Sequence, residues 1–236
     1  MENSTFKQWI EGAKVIFVGP SPILKERNLG KFIDKYDIVV RTNGATRFPL
    51  EVQKDYGKRT DVLYVNTQFT QDNHPFNIRE MQKAKLKWLC FKNNKYNRME
   101  YYQPYFQTRH INHVIHQLHK LPISGLLYGN AVIADILAQN PKELFLTGID
   151  CYINKPIEYE DTGFSEYIEG YFTDKHKKLY NKRNKGITDN HCKYENTRYL
   201  WDLLQAGKIQ THNYIKDIMS EILSNPKKYK LSEYRR

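Results

Sequence analysis

The chain has 236 residues, with 37 Lys and Arg against 26 Asp and Glu, a formal net charge of +11. Hydrophobic residues make up 40% and aromatics 14%, including 18 Tyr, so the chain can bury one sizeable core and is neither disordered, collagen-like nor a coiled coil. No apolar run approaches the length of a membrane span, and the opening MENSTFKQWIEGAK lacks the basic-then-apolar pattern of a secretory signal.

KVIFV (14–18) is a β-rich run that stops at Gly19-Pro20-Ser21-Pro22, the pattern of a buried strand entering a turn. ILKERNLGKFIDKY (23–36) sets apolar residues at helical spacing, and DIVVRTN (37–43) and DVLYVN (61–66) are the next two strands. That order, strand, turn, helix, strand, loop, strand, is an α/β nucleotide-binding opening. Leu86 to Phe91 is a fourth strand within a basic, aromatic stretch, followed by a helical stripe of Ile111, Val114, Ile115 and Leu118. PISGLLYGNAVIADILAQNPKELFLTGIDCY (122–152) reads as loop, buried helix, loop, and a strand ending in Gly148. Residues 151–190 are expected to be irregular, with a mobile lid over 171–190. Helices are predicted near 191–206 and 212–224, the second with Ile215, Ile218, Met219, Ile222 and Leu223 on one face. Residues 225–236 form a basic tail. The whole chain, 1–236, is expected to be one Rossmann-like α/β domain with a central, mostly parallel sheet flanked by helices.

Cys90, Cys151 and Cys192 are too scattered for a disulfide framework or a CxxC site, and read as reduced thiols of a cytoplasmic protein. The charge is uneven. Eight Lys/Arg and one Glu fall between Gln82 and Lys120, interleaved with Trp88, Phe91, Tyr96, Tyr101, Tyr102, Tyr105 and Phe106. Such a balance suits an anionic nucleotide sugar, a nucleic acid or an anionic membrane surface, or simply a lysine-rich composition.

Several groups could carry chemistry. In VGPSP, Gly19 allows a tight turn, and Ser21 offers a hydroxyl and a backbone N–H where a helix start would meet a phosphate. The turn is not a GxGxxG fingerprint, and no GxxxxGK[ST] occurs, so a P-loop is excluded. No D-x-D occurs either, and neither a metal nor another cofactor is expected. His191 and Glu195 lie four apart, so on a helix they share a face and the carboxylate can hold the imidazole and raise its pKa. His110, His113, His116 and His119 recur every third residue, but with no Cys or acidic ligand nearby they read as the polar flank of an amphipathic helix. Lys175, Lys177, Lys178, Lys182, Arg183 and Lys185 precede His191, either as a solvated loop or as a clamp over an anionic substrate.

The run VIFVGPSPILKERNLGKFIDKYDIVVRTN resembles the large sialyl motif of the sialyltransferases, glycosyltransferase family 29: Gly19, Ser21, Leu29, Gly30, Ile33, Asp34, Asp37, Val39, Arg41 and Asn43 fall in register. DYGKRTD (55–61) resembles the stretch that follows it, and the run from Pro122 to Tyr152 resembles the small motif. TDNHCKYENTRYLWDLL resembles the very small motif, a His followed by a Glu. Three departures stand out. Pro20 occupies the place of the family's Asn, the large motif lacks the family's disulfide cysteine, and three residues rather than four separate His191 from Glu195.

The resemblance implies a variant GT-A fold and an inverting, metal-independent transfer from a CMP-sugar or other pyrimidine nucleotide-sugar donor to a hydroxyl on a glycan or polysaccharide. It implies His191 as general base with Glu195 behind it, and Gly19, Ser21, Asn43, Ser124, Gly125 and Gly148 at the donor. Lys177, Lys178, Lys182 and Arg183 would touch acceptor or phosphate. Two alternatives follow from the charge. One is a phage-type DNA glycosyltransferase that modifies a hydroxylated base, and the other is a non-catalytic nucleic-acid-binding α/β protein.

Overall fold

Seven short strands lie side by side, all parallel, in the order β5-β4-β3-β2-β1-β6-β7. They are β1 (Lys14–Val18), β2 (Ile38–Thr42), β3 (Val62–Val65), β4 (Trp88–Phe91), β5 (Gln107–His110), β6 (Glu143–Thr147) and β7 (Gln210–Thr211). The computed structural model describes residues 2–42, 53–65, 78–92, 99–111, 114, 117–118, 123, 127–151 and 192–229. A parallel sheet is covered on both faces, so its inner strands read as continuous apolar runs. β2, β3 and β4 are buried at every position.

Alternate residues of each strand feed opposite layers. Val15, Phe17, Ile38, Val40, Val62, Tyr64, Trp88, Leu144 and Leu146 pack on one side. The helices there are α1 (Glu2–Ile10), α6 (Tyr128–Leu137), α7 (Lys193–Gln205) and α8 (Asn213–Ser224). Ile16, Val18, Val39, Leu63, Leu89 and Phe91 point to the other side. There they meet the one-turn helices α2 (Gly30–Ile33) and α3 (Gln53–Tyr56), then α4 (Ile78–Lys83) and α5 (Met99–Tyr102). Each fully buried Val, Leu, Ile or Phe contributes about 1.5–3 kcal/mol, so the two layers account for the fold. Among the described residues no helix is long and apolar enough to cross a membrane.

The expected α/β domain, strands β1 to β4 and β6, and helices α6 to α8 are all present. Four segments differ. The helix expected over 23–36 is instead a 3-10 turn at Pro22–Leu24 followed by α2. Between them Glu26 and Asn28 adopt φ of 63° and 54°, because the buried carboxylate of Asp55 accepts both their N–H groups, at 3.0 and 2.8 Å. β5 replaces the start of the histidine ladder. It is polar because its buried Arg109 forms a two-pronged ion pair with Asp135 of α6, which also accepts the Tyr64 hydroxyl at 2.6 Å. β7 is two residues long and is held by the Thr211 hydroxyl donating to the Leu146 carbonyl at 2.8 Å. The basic tail is folded at its start: Pro226–Tyr229 is a helical turn (α9), and Tyr229 is buried in the core. His113, His116, His119, Ile115, the lid at 171–190 and residues 230–236 lie outside the described residues. Cys90, Cys151 and Cys192 are buried and free of disulfides.

Motif residues that the sequence singles out act as joints. A Cβ on Gly30 would stand 2.0 Å from the Gln53 carbonyl oxygen, so α2 and α3 meet backbone to backbone at this point. The Asp34 carboxylate accepts the N–H groups of Lys58 and Arg59, and Asp37 accepts that of Lys14 at 2.8 Å. Arg41, fully buried, donates to the carbonyls of Tyr56 and Arg59. Burial lowers its pKa to about 10, which leaves it charged at neutral pH.

Candidate functional site

The strand order reverses between β1 and β6, whose registers run side by side from Lys14 and Glu143 to Val18 and Thr147. In open α/β sheets the ligand crevice lies at such a switch, beyond the carboxyl ends of the strands. Here those ends are Gly19 and Gly148. Gly19 donates its N–H to the Thr147 carbonyl at 2.8 Å, and Ser21 donates its N–H to the Gly148 carbonyl at 3.0 Å. Gly148 sits at a φ of 65°, in the left-handed region that costs a side chain strain. With no Cβ on either residue, the two strand ends meet backbone to backbone at the switch.

Ser21 is oriented from three sides. Its N–H is already spent on Gly148, its Oγ accepts the Ile23 N–H at 3.2 Å, and its carbonyl accepts the Tyr56 hydroxyl at 2.9 Å. The sequence reading that its N–H is available to a phosphate is therefore corrected: Ser21 keeps only its hydroxyl proton to offer.

Three helices begin at the same edge. α6 leads into β6 and α7 into β7, both strands parallel to β1, so each helix starts where the strands end. α8 starts there because it follows β7 directly. A Cβ on Gly129, in the first turn of α6, would meet the Phe17 ring of β1 at 3.8 Å. Helix starts present unsatisfied N–H groups and a partial positive charge, which favour an anion. The starts of α6 and α7 are tied by Asn196. Its Oδ1 accepts the Leu127 N–H at 2.9 Å and Asn130 Nδ2 at 3.0 Å, while its Nδ2 donates to the Cys192 carbonyl at 2.9 Å.

Of the site residues expected from sequence, Gly19, Ser21 and Gly148 converge at the switch. Glu195 is half-buried in the first turn of α7. That helix starts at Lys193, after Cys192 in an extended conformation, so helical spacing alone does not pair Glu195 with His191. Asn43, Ser124, Gly125, His191, Lys177, Lys178, Lys182 and Arg183 lie outside the described residues. Among the described residues no three His, Cys, Asp or Glu side chains converge as for a metal.

A second group, missed in the sequence, borders the crevice past β6. The Thr147 hydroxyl lies 3.2 Å from that of Tyr214, and the Arg27 guanidinium rests 3.8 Å above the Tyr214 ring. His212 stacks on Tyr214 as well and contacts Phe32 and Phe145. Its Nε2 is buried without a hydrogen-bond partner among the described residues. Burial, and then the charge of Arg27, lower its pKa. The available signal was HNY after a two-residue strand, too short for periodicity to register.

The basic aromatic stretch from Gln82 turns inward. Trp88, Phe91, Tyr102 and Phe106 are core residues, and Arg109 is buried against Asp135. Tyr101 and Tyr105 are its exposed aromatics among the described residues.

The family model described as glycosyltransferase family 29 (sialyltransferase) matches residues 12–129, half of the chain. No curated protein matches. Among solved structures, the sialyltransferase CstII from Campylobacter jejuni, in complex with cytidine-5'-monophosphate, is 19% identical over 66% of this chain and 76% of its own, with a TM-score of 0.43. An alpha-2,3-sialyltransferase from Campylobacter jejuni is 16% identical over 85% of this chain and 74% of its own, with a TM-score of 0.49. A mammalian sialyltransferase is 20% identical over 61% of this chain and 57% of its own, with a TM-score of 0.42.

Proposed function

Because the chain belongs to glycosyltransferase family 29, the sialyltransferases, we propose that it is an inverting, metal-independent enzyme. It moves a sugar from a CMP-linked or other pyrimidine nucleotide donor to a hydroxyl of a glycan or polysaccharide. The observation that carries the reading is the β1–β6 switch, where Gly19 and Gly148 meet backbone to backbone and three helices start at the same edge of the sheet.

In this reaction the acceptor oxygen attacks the anomeric carbon from the side opposite the nucleotide phosphate. The bond from that carbon to the phosphate oxygen breaks, and its electron pair leaves with the nucleotide. His191 takes the acceptor proton, and Glu195 stabilises the imidazolium that forms. The Ser124 hydroxyl and the N–H groups at Gly125 and the α6 start hold the phosphate as its charge grows. Asn43, directly after β2 in sequence, bonds the nucleotide, and Ser21 adds its hydroxyl. Lys177, Lys178, Lys182 and Arg183 neutralise the anionic partners.

The test is transfer from CMP-linked sialic acid to a galactose-terminated oligosaccharide. His191→Ala lowers kcat by about 10²–10⁴-fold, the usual worth of a general base, and leaves CMP binding intact. Turnover equal to the parent enzyme would remove His191 from the mechanism.

A further inference from the structure

Asn196 is 1% exposed, on the first turn of α7. Two helices that only needed to pack could do so through apolar side chains, as Tyr199 of α7 does against the small cluster that holds Ala131 of α6. A buried amide is costly unless its donors and acceptors are all met, so a network of this kind holds one geometry or fails. Asn196 makes three side-chain hydrogen bonds, to Leu127, Asn130 and Cys192, and Asn130 adds a bond to the Asn196 main-chain carbonyl at 3.1 Å. Two of the bonds are to main chain, at Leu127 and at Cys192, 65 residues apart in sequence and each at the start of a helix.

The geometry points to Asn196 as a positioning residue that ties the chain next to the proposed base, at Cys192, to the chain next to the proposed leaving-group loop, at Leu127. Cys192 follows His191 directly, and Leu127 comes two residues after Gly125. One side chain thus anchors the chain beside the proposed base and the chain beside the proposed phosphate-binding pair. This rests on the roles proposed above for His191, Ser124 and Gly125.

Two variants cut the clamp on opposite sides. Asn196→Asp keeps an acceptor for Leu127 and Asn130 but sets an oxygen against the Cys192 carbonyl. Asn196→Ser is too short to reach Leu127, yet its hydroxyl can donate to the Cys192 carbonyl, four residues back on the same helix. Thr211→Val removes a buried hydrogen bond between β7 and β6 that shares no partner with the clamp and serves as the destabilised control. On the full chain, CMP affinity is read by calorimetry, kcat and donor KM by transfer from CMP-linked sialic acid, and folding by thermal melting.

Both Asn196 variants are expected to lower kcat about 10–100-fold, the scale of a misplacement near 1 Å. Asn196→Asp, which keeps the Leu127 bond, holds CMP affinity and donor KM within about threefold of the parent, and Asn196→Ser, which gives that bond up, also weakens CMP binding. Thr211→Val keeps its kcat. A kcat within twofold of the parent in a folded Asn196 variant overturns the inference. So does a loss of kcat that in Asn196→Asp only follows loss of CMP binding, or in either variant only follows loss of folded protein. A parent chain that neither binds CMP nor transfers sugar overturns the functional reading first, and the role of Asn196 with it.

Discussion

Gly19 and Gly148 meet backbone to backbone where β1 and β6 end: a Cβ on Gly19 would lie 2.3 Å from the Gly148 carbonyl oxygen, and one on Gly148 would lie 2.5 Å from that of Gly19. No side chain can yield to relieve either contact, so the strands themselves must part. Gly19→Ala is expected to cost about 1–3 kcal/mol, the usual price of overpacking, and to weaken CMP binding at least tenfold. Gly129→Ala, whose Cβ meets only the Phe17 ring, should leave both unchanged. Urea denaturation and calorimetry read the pair, and a Gly19→Ala chain with parental stability would contradict the close approach.

Arg109 and Asp135 are 2% and 0% exposed and bridge β5 to α6. Removing one partner strands the other charge in the core. Asp135→Ala should therefore cost about 3–5 kcal/mol. The double change R109M/D135L removes both charges and should be less destabilised than Asp135→Ala. Chemical denaturation of the single and double variants checks the order, and simple additivity would refute the coupling.

Burial pushes the thiols of Cys90 and Cys151 up to about 12. The thiolate is the reactive form, so neither should be alkylated by iodoacetamide at pH 8 in the native chain, and both should react on unfolding in urea. Mass spectrometry of the labelled peptides decides. Rapid native labelling at either position would show that its burial is wrong.

The pH dependence of stability carries the mark of His212. Its folded pKa is lowered by burial and by Arg27, with Tyr214 stacked on the ring. The fold therefore favours the neutral imidazole, and the unfolded chain takes up the proton first. The contribution is whole above the ordinary histidine value near 6.5 and is lost as pH falls through the lowered folded value. His212→Gln should flatten the loss of stability between about pH 7 and pH 5. A slope identical to that of the parent chain would show that His212 does not titrate across folding.

What the sequence made legible was mostly architecture. β1, β2 and β3 are short, mostly apolar runs, and a doubly covered parallel sheet requires that pattern. The motif positions Gly30, Asp34, Asp37 and Arg41 could be recognised from a distance, yet each joins backbone segments of the fold. Local periodicity failed where a remote residue decided the outcome. Asp55 breaks the expected helix at Glu26 and Asn28 from 29 and 27 residues away. Asp135 makes a strand of the polar run at Arg109, 26 residues away. In the site, the two glycines were readable as turn residues, but not their mutual contact. Asn196 left one trace, a polar residue four before the buried Leu200 on the inner face of its helix.

The central claim is a nucleotide site at the β1–β6 switch, and the direct measurement is calorimetry of the chain against CMP, CDP, UDP, GDP and ADP, with Asn43→Ala alongside. The account predicts micromolar binding of CMP or another pyrimidine nucleotide, lost at least tenfold in the variant. Binding of no nucleotide, with duplex DNA bound instead and released steeply by salt, would contradict it and return the protein to the nucleic-acid-binding reading.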